Sequence, residues 1–377
     1  MKKIMYVITQ LELGGAQLMV LASARYFAGK GYEVVLVSNN RGILTAESAG
    51  DPSYKKYFLA PLKRELDLNS DIKALKALKS IMKKERPDIV HTHSSKAGIL
   101  GRKAARSARV PLIVHTVHGF GFHYFRNGIM KRLAIMGERS AARNCHKLIF
   151  VSGDDMETAR ALCIGRKEQY ELLRVGIDFE KVCSFKGDRA ALRKELGLPE
   201  DKKIIINIAP FKRQKNLPLF IEIIKGVAEK KDDITALIIG DGESRSALEH
   251  IVEKSGLSGR VLMPGFKRSP YKWLAASDIY LSTSLWEGMP RTLIEALLLG
   301  KPVVASEIGG VKEIIKDGKN GFLFKHSEAG EAVQKLLLLC EDNDVFENMS
   351  KAAMKSIDRE FSLEAMLEGL ERLYNAD

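Results

Sequence analysis

The run Asp278-Ile279-Tyr280-Leu281-Ser282 is followed by Leu285-Trp286-Glu287-Gly288-Met289-Pro290-Arg291-Thr292-Leu293-Ile294-Glu295-Ala296 and then by Pro302-Val303-Val304-Ala305. A short apolar run, a loop with glycine and proline, a segment of helical period and a second apolar run together read as one β-α-β unit. Pro290 suits the first turn of the helix, where no amide donor is needed, and Gly300 suits its exit. Apolar runs that do not alternate with polar residues are buried on both faces, so the sheet they build is parallel and covered on both sides.

The same rhythm extends in both directions. Lys203–Ala209, Ala236–Gly240 and Arg260–Met263 read as strands, with helices over Leu217–Lys230, Ser244–Ser255, Tyr271–Ala276 and Pro290–Leu299. Nearer the start, Lys3–Thr9, Glu33–Ser38, Asp88–His91, Leu112–Thr116 and Lys147–Val151 read as strands. Ala16–Lys30, Ile72–Glu85, Lys96–Ala108 and Ile129–Arg143 read as helices between them. Two such series predict two doubly wound α/β domains, over residues 1–177 and 178–358, joined near Val175-Gly176-Ile177-Asp178. An amphipathic helix within residues 359–377 is too short to be a domain and is expected to pack back on the first. Ligands of such folds bind outside the carboxyl ends of the strands, so the chemistry is sought in a cleft where two sheets face each other.

Composition agrees with a globular chain. It has 377 residues, 45% hydrophobic and 28% charged, enough for two cores and against disorder. Four scattered cysteines (Cys145, Cys163, Cys183, Cys340) form no CxxC and no metal spacing, which points to a reducing cytoplasm. The apolar start is too short for a signal peptide, and no apolar run is long enough to span a bilayer. A net charge of +13 favours anionic partners: nucleic acid, anionic lipid or phosphorylated substrates.

Candidate site residues gather where strands end. Gly14 and Gly15 lie at a strand-to-helix turn, which reads either as a phosphate-binding bend or as a plain tight turn. No GxGxxG follows the first strand, no acid ends the second, and no GxxxxGK[ST] occurs, which argues against nicotinamide cofactors and P-loop ATPases. His91-Thr92-His93-Ser94-Ser95-Lys96 crowds polar groups at a strand end, suited to sugar hydroxyls or phosphates. The His91/His93 pair lacks a third metal ligand, so no metal is expected. His118 and His123 lie in the Gly/Phe-rich loop 118–123, where His118 is either a hydrogen-bonding site residue or a structural histidine. Lys212, Arg213 and Lys215 make either an electropositive diphosphate pocket or a solvated basic loop. Glu287 and Glu295 straddle a helix start and are suited to accepting hydrogen bonds from hydroxyls, with Glu295 expected to be partly buried. Asp342-Asn343-Asp344 mimics a DxD motif but reads as a solvated turn.

Glu287-Gly288-Met289-Pro290 through Glu295 resembles the EGxPxxxxE signature of the family 4 retaining glycosyltransferases. The resemblance runs through Gly14-Gly15-Ala16, His91–Gly98, His118-Gly119, Lys215-Asn216, Gly240-Asp241-Gly242, Ser277-Asp278, Gly309-Gly310 and Asn320-Gly321. It implies the GT-B fold: two facing Rossmann-like domains, with the terminal helix crossing back to the first. It further implies transfer of a hexosyl unit from a nucleotide sugar, most commonly a UDP-sugar, to a saccharide or lipid-linked acceptor in bacterial surface polysaccharide synthesis. No cofactor or metal is implied. By this resemblance Glu295 holds the ribose, and Lys215 with Lys212 or Arg213 neutralises the diphosphate. Glu287, Met289 and Pro290 lie near the donor, Gly309 and Gly310 near its diphosphate or sugar. Gly14 and Gly15 close on the phosphates, and His118 meets the sugar. Ser94, Ser95, Lys96 and His123 are assigned to the acceptor side. Ala209-Pro210 replaces the Gly-Arg pair of many relatives, so another cation must supply that contact. The leaving phosphate would deprotonate the acceptor, with double displacement through Glu287 as the rival path.

Phe120–Arg143 interleaves aromatics and cations (Phe122, Tyr124, Phe125, Arg126, Ile129, Lys131, Arg132, Arg139, Arg143), joined by Lys96, Arg102, Lys103, Arg106 and Arg109. This reads either as a solvated face or as a peripheral contact with the inner face of the cytoplasmic membrane. Two other functions fit parts of the pattern. A nucleotide-sugar epimerase would share the fold, and a nucleic-acid-binding protein would share the charge. The chain shows no helix-turn-helix, RRM or zinc-finger pattern, so no nucleic-acid partner is expected.

Overall fold

The computed structural model describes residues 2–12, 14–125 and 127–376. It separates into two compact units, Met1–Gly176 with Glu364–Asp377, and Ile177–Leu363. Among the described residues the first unit holds seven strands: β1 (Lys3–Val7), β2 (Glu33–Ser38), β3 (Lys55–Phe58), β4 (Ile89–His93), β5 (Leu112–Val117), β6 (Lys147–Phe150) and β7 (Tyr170–Leu172). The second holds six: β8 (Lys203–Ile208), β9 (Ile234–Ile239), β10 (Val261–Leu262), β11 (Ile279–Ser282), β12 (Val303–Ser306) and β13 (Gly321–Phe324).

Every described strand pair is parallel. The orders are β3-β2-β1-β4-β5-β6-β7 and β10-β9-β8-β11-β12-β13. Each is a doubly wound, Rossmann-like sheet, whose order reverses between β1 and β4 in one unit and between β8 and β11 in the other. Loops leaving neighbouring strands diverge at such a reversal and open a crevice, which fixes where ligands bind. The central strands are apolar and fully covered. In the second unit Ile205, Ile238, Ile279 and Leu281 pack under Phe220, Ile224 and Leu336 from flanking helices.

Of the four edge strands, β3 and β13 are absent from the sequence reading, whereas Tyr170–Leu173 reads as strand-like and becomes β7. The two absent strands are each four residues long, and β3 is KKYF, with no run of apolar residues to announce it. The polar, charge-rich stretch before β8 is itself structured. It folds as a helix, Arg189–Leu196, capped by Asp188, whose side chain accepts from the Ala190 amide at 2.9 Å. Arg189 and Arg193 reach from this helix to Asp278 at 2.5 Å each, and the Asp278 carboxylate also accepts from the Ile204 amide at 2.7 Å. The Ser277-Asp278 pair thus clips the amino ends of β8 and β11, far along the strands from their carboxyl ends. Asp342, Asn343 and Asp344 are solvent-exposed as expected, and Asp342 in addition caps the helix Asn343–Lys355 by accepting from the Val345 amide at 2.9 Å.

The last helix, Leu363–Asn375, belongs with the first unit from Glu364 onward. Tyr374 is 1% exposed, and its hydroxyl bonds His91 Nδ1 at 2.5 Å and Tyr6 at 3.3 Å. Residues 361–363 stay with the second unit. The Ile177 amide donates to the Phe361 carbonyl and the Leu363 amide to the Ile177 carbonyl, both at 2.9 Å. This tie at Ile177 moves the unit bounds from the expected 177 and 358 to 176 and 363.

Candidate active site

In the second unit, the loops leaving β8 and β11 are laced together at the reversal of strand order. The Thr283 hydroxyl donates to the carbonyls of Lys215 at 3.0 Å and Asn216 at 3.1 Å. The Leu285 amide donates to the Gln214 carbonyl at 2.8 Å. Gln214 Nε2 donates to the Trp286 carbonyl at 2.8 Å and reaches Glu287 Oε2 at 3.4 Å. Asn216, at φ 48°, turns the chain from this loop into the helix Leu217–Ala228, with Pro218 in its first turn. So held, Lys215 and Glu287 form an ion pair with their side chains 18% and 10% exposed. Arg213 lies 5.8 Å over the Trp286 ring, and Lys212 is half-buried beside it in sequence.

Glu295 sits on the helix Arg291–Leu298, which begins right after Pro290, and is 4% exposed. Its Oε1 has two partners, the Tyr271 hydroxyl at 3.4 Å and Arg291 Nη2 at 3.6 Å. Both are long for hydrogen bonds. No hydrogen bond to Oε2 is formed among the described residues. Burial therefore raises the carboxyl pKa, against the opposing pull of Arg291. The loop after β12 completes the edge. A Cβ on Gly310 would lie 1.7 Å from the Gly288 carbonyl oxygen, so only glycine lets the two loops touch. Gly309 opens the short helix that follows, and Met289 and Pro290 are buried beneath.

In the first unit, the residues after β1 and β4 meet at the other reversal. Gly14 caps and Gly15 begins the helix Gly15–Gly29; the preceding Leu13 lies outside the described residues. Ser94, at φ 63°, bonds the Thr9 hydroxyl at 2.6 Å, and that hydroxyl accepts from the Ala97 amide at 3.3 Å. A Cβ on Gly121 would meet Ser95 Oγ at 2.6 Å, so the loop after β5 lies against Ser95. Lys96 is ion-paired with Asp71 at 2.7 Å. Ser94 and Lys96 thus have their polar groups engaged within the unit, and His123 is exposed beside Phe122.

Strand β4 runs two residues further than its apolar pattern suggests and brings His93 into the sheet. His91, His93 and His118 form a line, with centroids 4.2 Å apart for the first pair and 5.4 Å for the second. His91 is structural, bonded to Tyr374 and to Thr116 at 2.7 Å. His93 Nδ1 bonds His118 Nε2 at 3.0 Å, while the buried His93 Nε2 has no partner. Burial holds His118 down at about 4 and His93 well below its ordinary value, so both rings are neutral near pH 7. Only one hydrogen lies between Nδ1 and Nε2. A buried N–H without an acceptor is costlier than a bare ring nitrogen, so His93 carries its hydrogen on Nδ1 and donates it. His118 is then left with its hydrogen on Nδ1.

Gln214, Tyr271 and Thr283 were not singled out for roles by the sequence, and His93 was weighed as a metal ligand and as one of the polar groups suited to sugar hydroxyls or phosphates, not as the partner of His118. Each acts through a partner more than 20 residues away, and no local pattern marks that. The basic face is also redrawn. Arg102 is fully buried and paired with Glu138 at 2.7 Å, Phe122 is 2% exposed, and Arg126 lies outside the described residues. Among the described residues no group of three or more His, Cys, Asp or Glu is placed to hold a metal ion, and no helix is long and apolar enough to cross a membrane.

Comparison with known proteins identifies the family and the fold. Residues 13–181 match Glycosyltransferase Family 4, and residues 188–356 match Glycosyl transferases group 1. The chain is 32% identical to the UDP-Gal:alpha-D-GlcNAc-diphosphoundecaprenol alpha-1,3-galactosyltransferase of Escherichia coli, over 99% of this chain and 96% of the relative. It is 26% identical to the putative glycosyltransferase EpsD of Bacillus subtilis, over 93% and 91%. Among solved structures, Anabaena HepE in complex with UDP and glucose superposes with a TM-score of 0.82 at 21% identity, over 99% of both chains. WaaG, a glycosyltransferase involved in lipopolysaccharide biosynthesis, gives 0.81 at 16%, over the whole of both. The chain belongs to the group 1 glycosyl transferases of glycosyltransferase family 4 and has the GT-B fold of two Rossmann-like units.

Proposed function

We propose that this glycosyltransferase moves a hexosyl unit from a UDP-sugar to a saccharide carried on a lipid diphosphate, with retention at the anomeric carbon and without a metal. The observation that carries the reading is the Lys215–Glu287 pair at the strand reversal, with the poorly partnered Glu295 carboxylate on the same sheet edge. Breaking the anomeric bond puts negative charge on the β-phosphate. A preorganised cation aimed at that oxygen lowers the barrier by about 3–4 kcal/mol. Lys215 supplies that cation by turning from Glu287 to the phosphate, with Lys212 and Arg213 in support. Glu295 Oε2 accepts from the ribose hydroxyls, and the amides of Gly309 and Gly310 meet the diphosphate. From the first unit, Gly14 and Gly15 are assigned to the phosphates, His118 to the sugar, and Ser95 and His123 to the acceptor.

Glu287 accepts from Lys215 and Gln214 in the free protein, and we assign it the role of holding Lys215 in position. Deprotonation of the acceptor is assigned to the departing phosphate. The lipid-linked acceptor and the UDP donor are supported by the Escherichia coli relative, whose name specifies UDP-Gal and a diphosphoundecaprenol. Work on such an acceptor takes place at a membrane surface, its cytoplasmic side for a nucleotide-sugar donor. The test is an assay with UDP-Gal, UDP-Glc and their N-acetylated counterparts on a short-chain GlcNAc-diphosphate lipid. The expected result is UDP release matched by an α-linked disaccharide, undiminished by EDTA. Epimerised donor without transfer, or a β-linked product, overturns the reading.

A further inference from the structure

Two neutral histidines joined by one hydrogen bond divide their hydrogens in one of two ways, and the packing around His93 makes the two unequal. His93 is 1% exposed. Its ring centroid lies 4.2 Å from that of His91 and 6.1 Å from that of Tyr6, and His91 is pinned in turn by Tyr374 and Thr116. Packed this way, the ring keeps its Nε2 where no acceptor lies among the described residues. A hydrogen there would be buried and unbonded, so it sits on Nδ1 and is donated to His118 Nε2 at 3.0 Å. His118 then holds its own hydrogen on Nδ1, whereas a histidine side chain in water favours Nε2. His118 is half-buried just past β5, and among the described residues no hydrogen bond reaches its Nδ1. The electron pair of its Nε2 is taken by His93, and a hydrogen-bearing Nδ1 offers none. The ring can therefore give a hydrogen bond at Nδ1 but cannot take a proton there.

We propose that His93 is a positioning residue for the transfer: it sets the tautomer of His118 and so makes that ring a hydrogen-bond donor, and not a base, toward an oxygen of the transferred sugar. The hydrogen bond at one ring nitrogen decides what the other nitrogen carries. The inference rests on the reading that His118 meets the sugar, and it leaves the departing phosphate as the group that deprotonates the acceptor.

The full chain is labelled with isotopic histidine, and long-range proton–nitrogen spectra near neutral pH read the tautomer of His118, whose signals are assigned by their loss in His118→Asn. Hydrogen on Nδ1 is expected. His93→Phe fills the space without a donor and frees His118 to move its hydrogen to Nε2. The Nδ1–H form should then no longer be the sole one, and kcat/KM for the UDP-sugar should fall about tenfold, the upper reach of one neutral hydrogen bond. UDP, which lacks the sugar, should keep its wild-type Kd. His93→Asn, whose amide can donate from the place of Nδ1, should keep both the tautomer and most of the rate. A wild type with hydrogen on Nε2 of His118 overturns the proposal, and that spectrum decides even where a variant does not fold. So does a variant in which tautomer and rate part company, a His93→Phe protein that keeps Nδ1–H alone or loses less than about twofold in kcat/KM, or a loss of rate matched by weaker UDP binding, which marks a structural role only. If the wild type transfers sugar to no acceptor, the proposed reaction fails and the sugar contact with it, while the tautomer, read without substrate, is judged separately.

Discussion

Replacing Glu295 by glutamine separates what this carboxylate does for the ligand from what it does for the fold. In the free protein it is 4% exposed and served at one oxygen by contacts of 3.4 and 3.6 Å. A hydrogen bond to a charged acceptor contributes about 1.5–3 kcal/mol, against about 0.5–1.5 for a neutral one. Glutamine keeps the shape and one acceptor, so UDP binding should weaken by about 1–3 kcal/mol, or about 5- to 150-fold in Kd. Stability should move the other way. Burial raises the folded pKa above the unfolded one, so the native state holds more protons between the two values and loses stability as pH rises through that window. Glu295→Gln removes this penalty and should be at least as stable as wild type at pH 7. The gap closes once pH falls below the ordinary glutamate value of about 4.3. Titration calorimetry with UDP, paired with denaturant unfolding at pH 7 and pH 4, reads both effects. Wild-type UDP affinity, or earlier unfolding at pH 7, refutes the reasoning.

Lys215→Ala should lower kcat by about 10²–10³ with the donor KM changed by only a few fold, and steady-state kinetics that show less than a tenfold loss remove Lys215 from the leaving-group role. Tyr374→Phe leaves His91 Nδ1 without a partner in the core and takes one of two partners from the Tyr6 hydroxyl, at a cost of about 1–3 kcal/mol, which calorimetry should register as a lower Tm. Asp278→Asn should cost about 3–5 kcal/mol by leaving the buried Arg193 without its carboxylate, read from the denaturant midpoint. The buried histidines give a pH signature. His91 is held at about 3 and His118 at about 4, while the unfolded chain titrates near 6.5. The unfolded state therefore binds more protons across that interval, and stability, complete above about pH 6.5, falls as pH drops toward 4. A flat denaturant midpoint between pH 7 and 5 would contradict the burial of these rings.

The fold was legible because it rests on local signals that repeat. The 278–305 unit shows this: the apolar runs become β11 and β12, and Gly300, at φ 69°, ends the helix between them. Pro290 falls one position earlier than expected, as the residue before the helix. Glu295 was expected among apolar neighbours and is found there. The pairings that shape the site were not legible. Lys215 and Glu287 lie 72 positions apart and meet only because β8 and β11 are neighbours in the sheet, which no periodicity encodes. His93 reaches His118 for the same reason, from the neighbouring strands β4 and β5, whereas Tyr271 reaches Glu295 from the helix before β11 to the helix after it. Burial on helices was partly misjudged. Arg102 reads as a surface cation, yet it lies on the inner side of the helix Ser95–Ser107, where Glu138 supplies the opposite charge.

The placement of the last helix brings the two ends of the chain side by side: Lys2 Nζ donates to the Tyr374 carbonyl at 2.9 Å and to Asn375 Oδ1 at 3.1 Å. A fragment stopped at residue 176 would therefore lack a wall of its own interior, and during synthesis the first unit must wait for the final residues to emerge. A circular permutant joined across the old termini and opened between Gly176 and Ile177 would encode each unit as one unbroken stretch, free of that delay.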